Sequence, residues 1–271
     1  MVTGHVQEDQ VRTTSNPAFR NLPRSGYGNN AGFTPQAQAA GQYGGYDPYQ
    51  QAGMAQRPMT VDDVVVRTAI TLGLAIVTGA LTVLFQAWAL VLPAFVVGLV
   101  VSLIIIFKRT PNAALVLVYA AAEGVVLGAI TGLFDRIYPG IAFQAIIGTF
   151  GVFAAMLVVY KTGVVRVTPR FRKWLIGATV GVVFVMLADL VAHLFGANLG
   201  VRDGSPLSIV FSVLVIGIAA FNLLLDFEQA DQMIRAGAPA KWAWYAAFGL
   251  MVTLVWLYLE ILRLLSYLQR N

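Results

Sequence analysis

The chain has 271 residues, of which 58% are hydrophobic and 11% charged, with a formal net charge of +5. A soluble domain carries about a quarter of its residues as charges, so this composition belongs with integral membrane proteins. The absence of cysteine excludes disulfides, thiol chemistry and cysteine-based zinc sites.

Residues 1–60 form the first region. The stretch RSGYGNNAGFTPQAQAAGQYGGYDPYQQAG is almost entirely Gly, Gln, Asn, Ala, Pro and Tyr. Such a segment cannot bury enough apolar surface to offset its ordering entropy, so a disordered, solvated tail is expected. Weak self-association through its tyrosines is the alternative. The region lacks the apolar core of a secretory signal, and insertion through the first membrane helix is expected instead.

Seven apolar runs follow, at 64–85, 89–107, 113–134, 141–160, 174–195, 206–226 and 242–262. Each approaches the ~20 helical residues that cross a hydrocarbon core about 30 Å thick. The expected fold is an all-α membrane protein: a seven-helix bundle over 61–271, preceded by the tail. Pro93 is tolerated within a membrane helix, and Pro206 and Pro239 stand near helix starts, where a missing N–H does no harm.

The loops set orientation. With the N-terminus in the cytoplasm, only Arg136, Arg202, Arg263 and Arg270 of the 18 basic residues lie outside. The other fourteen lie inside. This asymmetry predicts a multi-pass protein of the cell membrane with its tail inside, and its C-terminus outside if the last run spans. The basic loop KTGVVRVTPRFRKW (161–174) fits anchoring to anionic lipid better than contact with nucleic acid. The lipid bilayer is therefore the expected partner, and nucleic acid is not.

Charges inside the runs are the candidates for chemistry. Glu123, in AAAEGVVLGAITGLFD, lies ten residues into the third run, ~15 Å deep at 1.5 Å per residue. An ionised acid there costs about 2.5–3.5 kcal/mol. Glu123 is thus protonated, paired, or facing water within the bundle. It reads as one wall of an ion or proton site, with a neutral interhelical hydrogen bond as the alternative. Ala120, Gly124, Gly128 and Gly132 recur every four residues beside it, a small-residue stripe for close helix packing.

In the fifth run Asp189 and His193 are spaced i, i+4, which suits a local pair. The sixth ends in NLLLDFEQAD. Asp226 follows Leu223–Leu225 directly and is the better candidate for a partly buried acid, whereas Glu228 and Asp231 read as a solvated helix end. The seventh run holds Thr253 at its centre and Glu260 two turns on. Arg263, three residues beyond Glu260, is within reach to pair with it. Signatures of metalloproteases, serine hydrolases and P-loop enzymes are absent from the sequence. Two histidines, His5 and His193, are too few and too far apart to suggest a zinc site. Neither catalysis nor a resident cofactor is expected.

Seven runs, AEGVVLGAITGLF in the third, NLLLDFEQAD in the sixth and LYLEILRLLS in the seventh together resemble the Bax inhibitor-1 family, and most of all its YccA-like branch. The opening VRTTSNPAFRNLP with a Gly/Tyr/Gln tail resembles actinobacterial members. The resemblance covers about residues 58–268 and that opening motif. It implies a seven-helix bundle with the last helix near its centre. It also implies kinship with pH-sensitive calcium leaks, in which two aspartates on the sixth and seventh helices pair and an arginine ending the second helix latches them. Asp226 matches the first aspartate, Arg109 is the nearest match to the arginine, and Thr253 occupies the place of the second aspartate. Glu260 lies too far along the helix to replace it, so Glu123 is expected as the partner of Asp226 or Thr253.

The leading expectation is a pH-sensitive calcium leak or exchanger using Asp226, Glu123 and Thr253, with Arg109 as latch and Glu260, Asp189, Glu228 and Asp231 as secondary acids. Calcium would be the transported ion. A non-conducting adaptor for membrane quality-control proteolysis, with a membrane protease as partner of the tail, is the rival. A transporter of a small organic solute is a third reading.

Overall fold

The structure is a computed structural model and describes residues 57–196 and 199–270; the tail expected over 1–56 lies outside them. Seven helices long and apolar enough to cross a membrane occupy almost all of the described chain. They are α1 (Val61–Leu84), α2 (Val91–Lys108), α3 (Ala113–Ile137), α4 (Ile141–Thr162), α5 (Pro169–Leu194), α6 (Pro206–Arg235) and α7 (Ala243–Arg270). Short 3₁₀ turns at Trp88–Leu90 and Ala240–Trp242 lead into α2 and α7.

The helix starts follow local chemistry. Thr60 and Asp63 form a reciprocal capping box on α1, and Asn112 caps α3. Thr168 and Ser205 cap α5 and α6, each followed by a proline in the first turn, where its fixed φ suits a helix. Gly163 ends α4 at φ +68°, a left-handed turn that other residues adopt at a cost.

Successive helices alternate in direction. At the near end, where α1 begins, the Tyr160 hydroxyl of α4 meets Glu228 of α6. At the far end, Gln269 of α7 donates to Gln144 of α4. α7 is the most enclosed helix: half of its apolar stretch is buried, against 11% for α5 and 17% for α2. One core joins α4, α6 and α7 through Ala145, Leu223, Leu224 and Leu257. Another joins α1, α2, α3 and α7 through Ala75, Ile105, Val116 and Met251. α5 attaches chiefly to α6, through Leu175, Val182, Val215 and Ile218.

The stripe on α3 packs against α1. A Cβ on Gly124 would lie 2.3 Å from the Ala75 carbonyl oxygen, and one on Gly128 would lie 2.3 Å from that of Gly79. Two backbones therefore meet with no room for a side chain, as small-residue membrane interfaces allow.

The near end is closed by a strap. The Met59 N–H donates to the Ala238 carbonyl at 2.8 Å and the Ala240 N–H to the Arg57 carbonyl at 2.9 Å. Pro58 and Pro239 form an antiparallel bridge. Residues 57–60, grouped with the tail from composition, are thus bonded to the turn between α6 and α7. Arg57 holds the Asp63 carboxylate at 2.7 and 2.9 Å, while Arg67 donates to the Ala240 carbonyl and stacks on Trp244.

Candidate functional site

Asp226 lies on the near half of α6, where the helix faces α7. Its Oδ2 is fully buried and accepts no hydrogen bond from the described residues. Its Oδ1 lies against Gly249: a Cβ there would be 3.9 Å away. Glycine leaves this carboxyl its space. One turn on, the Thr253 hydroxyl is within interacting reach of the carboxyl and donates to the Gly249 carbonyl at 3.4 Å. A cavity of about 110 Å³ adjoins the carboxyl, lined also by Gln229, Met233, Tyr245 and Phe248. Asp226 and Thr253 are therefore brought together, across α6 and α7.

Glu123 occupies a different interface. It is half-buried on α3 and turns toward α2, where a Cβ on Gly98 would lie 3.8 Å from its Oε2. Tyr119 stands one turn earlier on the same helix. Tyr119 packs edge-on against Phe248, with ring centroids 5.0 Å apart, and Phe248 lines the cavity beside Asp226. The Tyr119–Phe248 pair thus links the surroundings of the two acids, and among the described residues no hydrogen bond joins Glu123 to Asp226 or Thr253, the partnership expected of it.

Arg109 caps α2 in a left-handed conformation, φ +46°, with its side chain exposed. Among the described residues it forms no ion pair with Asp226. The cation that α1 brings against the start of α7 is Arg67, which sequence reasoning missed. Its signal was weak: an arginine in the first two turns of α1 reads as a solvated charge until Trp244 is placed over it.

Of the other acids, Glu228, Asp231 and Glu260 are engaged. Glu228 and Asp231, expected as a solvated helix end, are half-buried. Both accept the Tyr160 hydroxyl of α4, at 3.1 and 3.3 Å, and Asp231 also pairs with Arg235 at 2.6 Å. α6 continues past the apolar run and carries them into this contact. Glu260 is buried at the far end, paired with Arg263 at 2.7 Å and lying 3.9 Å from Arg202. Asp189 is half-buried on α5, and among the described residues it forms no ion pair. His193 is exposed, and among the described residues no ion pair joins it to Asp189. Among the described residues no cluster of three or more acids or histidines is arranged to hold a metal ion.

A family model described as Bax inhibitor 1 like matches residues 16–270. The chain belongs to the Bax inhibitor 1 like family. It is a multi-pass membrane protein, as its seven membrane-length helices and this family membership together require. No curated protein matches the chain. Membership of this family spans the Asp226–Thr253 contact, Glu123 and the small-residue stripe alike, because the matched residues run from before α1 to the end of α7.

Proposed function

We propose that this Bax inhibitor 1 like protein is a pH-sensitive cation leak or exchanger, with calcium as the transported ion and Asp226 as its control. The observation that carries the reading is the Asp226 carboxyl: one oxygen is buried without a partner, and the group adjoins a cavity inside a membrane bundle. Ionisable groups in membrane helices are costly and mark ion or proton pathways. Carboxylate, hydroxyl and carbonyl oxygens suit a hard cation such as calcium. Asp226, Thr253 and Gly249 offer one of each.

Proton and cation compete for the same oxygen in this reading. Protonated, Asp226 donates to the Thr253 hydroxyl and holds α6 against α7. Ionised, it loses that donation and attracts a cation into the cavity. Glu123 serves as a second acid, on the α3 face toward α2. The near end, which carries fourteen of the 18 basic residues with the tail, is placed in the cytoplasm and the bilayer is the plasma membrane.

Calcium flux into liposomes holding the purified full chain tests the reading. Flux that rises with pH is expected, with the pH dependence abolished by Asp226→Asn and altered by Glu123→Gln. A flux and pH profile untouched by both substitutions removes the site. No flux at any pH leaves the anchored adaptor, whose partner binding should then depend on residues 1–56.

A further inference from the structure

A long cleft opens on the side of the bundle between α1 and α4, floored by α3 and α7, with a volume of about 580 Å³. It runs from the level of Leu72 and Gly124 to that of Asp135 and Arg136. Residues 124 to 136 of α3 span about 18 Å at 1.5 Å per residue. A hydrocarbon core is ~30 Å thick, so the cleft has the depth of one leaflet and its head-group zone. An extended hydrocarbon chain of that length fits along it.

The walls have the same preference. Ile76 and Phe150 flank the opening, 53% and 48% exposed. The polar residues deeper in the cleft are already satisfied. Thr131 and Tyr258 share a hydrogen bond of 2.8 Å, and the Thr149 hydroxyl donates to the Ala145 carbonyl at 2.8 Å. The floor therefore asks nothing of an occupant that cannot hydrogen-bond.

The mouth is different. Arg136 lies 5.0 Å over the Trp88 ring, and Trp88 packs on Gly132 at the top of the floor. An indole beside a cation suits the membrane–water interface. Among the described residues Arg136 forms no ion pair. Asp135 is turned back to accept the Gly140 N–H at 2.9 Å.

We propose that this cleft binds one acyl chain of a phospholipid, with the head-group phosphate on Arg136. Guanidinium and phosphate make a charge-assisted, bidentate contact, and the apolar slot beneath takes the chain. The site is separate from the Asp226 cavity and shares no lining residue with it.

Photo-cross-linking of the full chain in phosphatidylcholine vesicles tests this, with a small fraction of the phospholipid carrying a diazirine near the end of one acyl chain. Labelling of the cleft walls is expected to exceed that of the exposed α5 residues Val180 and Phe184 by about tenfold. Ala80→Trp, which fills the cleft from its α1 wall, should bring cleft labelling down to the α5 level and leave α5 unchanged. Arg136→Gln should lower cleft labelling several-fold. Ile76→Trp, on the exposed rim, repeats the blocking test with a side chain that does not touch the floor. Equal labelling of cleft and α5, or labelling indifferent to both tryptophans, overturns the proposal. So do cross-links between two copies of the chain through α1 and α4.

Discussion

Glu260 shows how much a single residue can carry. It is 2% exposed, bonded to Arg263 and close to Arg202. Breaking a buried pair leaves an uncompensated charge and costs about 3–5 kcal/mol. Glu260→Ala should therefore lower thermal stability in detergent by that order, and a loss below about 1 kcal/mol would show a pair no better than a surface one. Arg263 was within reading distance in the sequence, being three residues away. Arg202 was not, because only the return of α7 past the start of α6 brings it close. Asp203, next in chain, is exposed. Backbone and side-chain donors from Ser205 and Ser208 draw its carboxyl down to about 2, from an ordinary 3.8. A carboxyl lowered in the folded state stabilises above its unfolded value, and that contribution is lost as pH falls through the folded one. The turn before α6 should thus hold at neutral pH and open between about pH 4 and pH 2. Hydrogen exchange at the Ser205 amide reads this directly, and in Asp203→Asn the acid step should vanish.

Helices were legible where a run of apolar residues had clear ends, and less so where polar residues continue a helix. All seven runs became helices of membrane length. The sixth reaches Arg235, nine residues past the expected end at 226, and the seventh reaches Arg270. Those extra turns place Glu228 and Asp231 against Tyr160, a contact no local pattern announces. The stripe of Ala120, Gly124, Gly128 and Gly132 was readable as a close-packing face; its partner, α1, was not. The glycines make a test with its own control. Gly128→Ala drives a Cβ to within 2.3 Å of the Gly79 carbonyl oxygen, and overpacking of this kind costs about 1–3 kcal/mol. Gly177 on α5 has nothing within 4 Å of such a Cβ. Gly177→Ala should be neutral or stabilising by up to about 1 kcal/mol, since alanine favours a helix. Equal effects of the two changes, measured as thermal stability in one detergent, would show that α1 and α3 do not touch as described. The depth of Glu123 was likewise foreseeable from spacing, but its direction was not. Position along a helix fixes depth, whereas the neighbours fix the face, and α2 claims this one.

At the scale of the molecule, the body begins earlier than composition suggests. Asp63 is 7% exposed, caps α1 and is clasped by Arg57. Removing residues 1–56 should leave thermal stability within about 0.5 kcal/mol, as changes away from packed contacts do. Asp63→Ala in the full chain should cost about 1–3 kcal/mol through the lost cap and buried pair. If the truncation proves the more damaging of the two, the tail contributes to the bundle in its own right. The shortness of residues 57–60 concealed this boundary, because the two backbone hydrogen bonds that make one β-bridge leave no trace in hydropathy.

That strap has a mechanical corollary. The polypeptide enters the bundle clipped to the hairpin turn of α6 and α7, the same two helices that enclose Asp226. A pull on Arg57 is therefore shared between that hairpin and, through the Arg57–Asp63 pair, the start of α1.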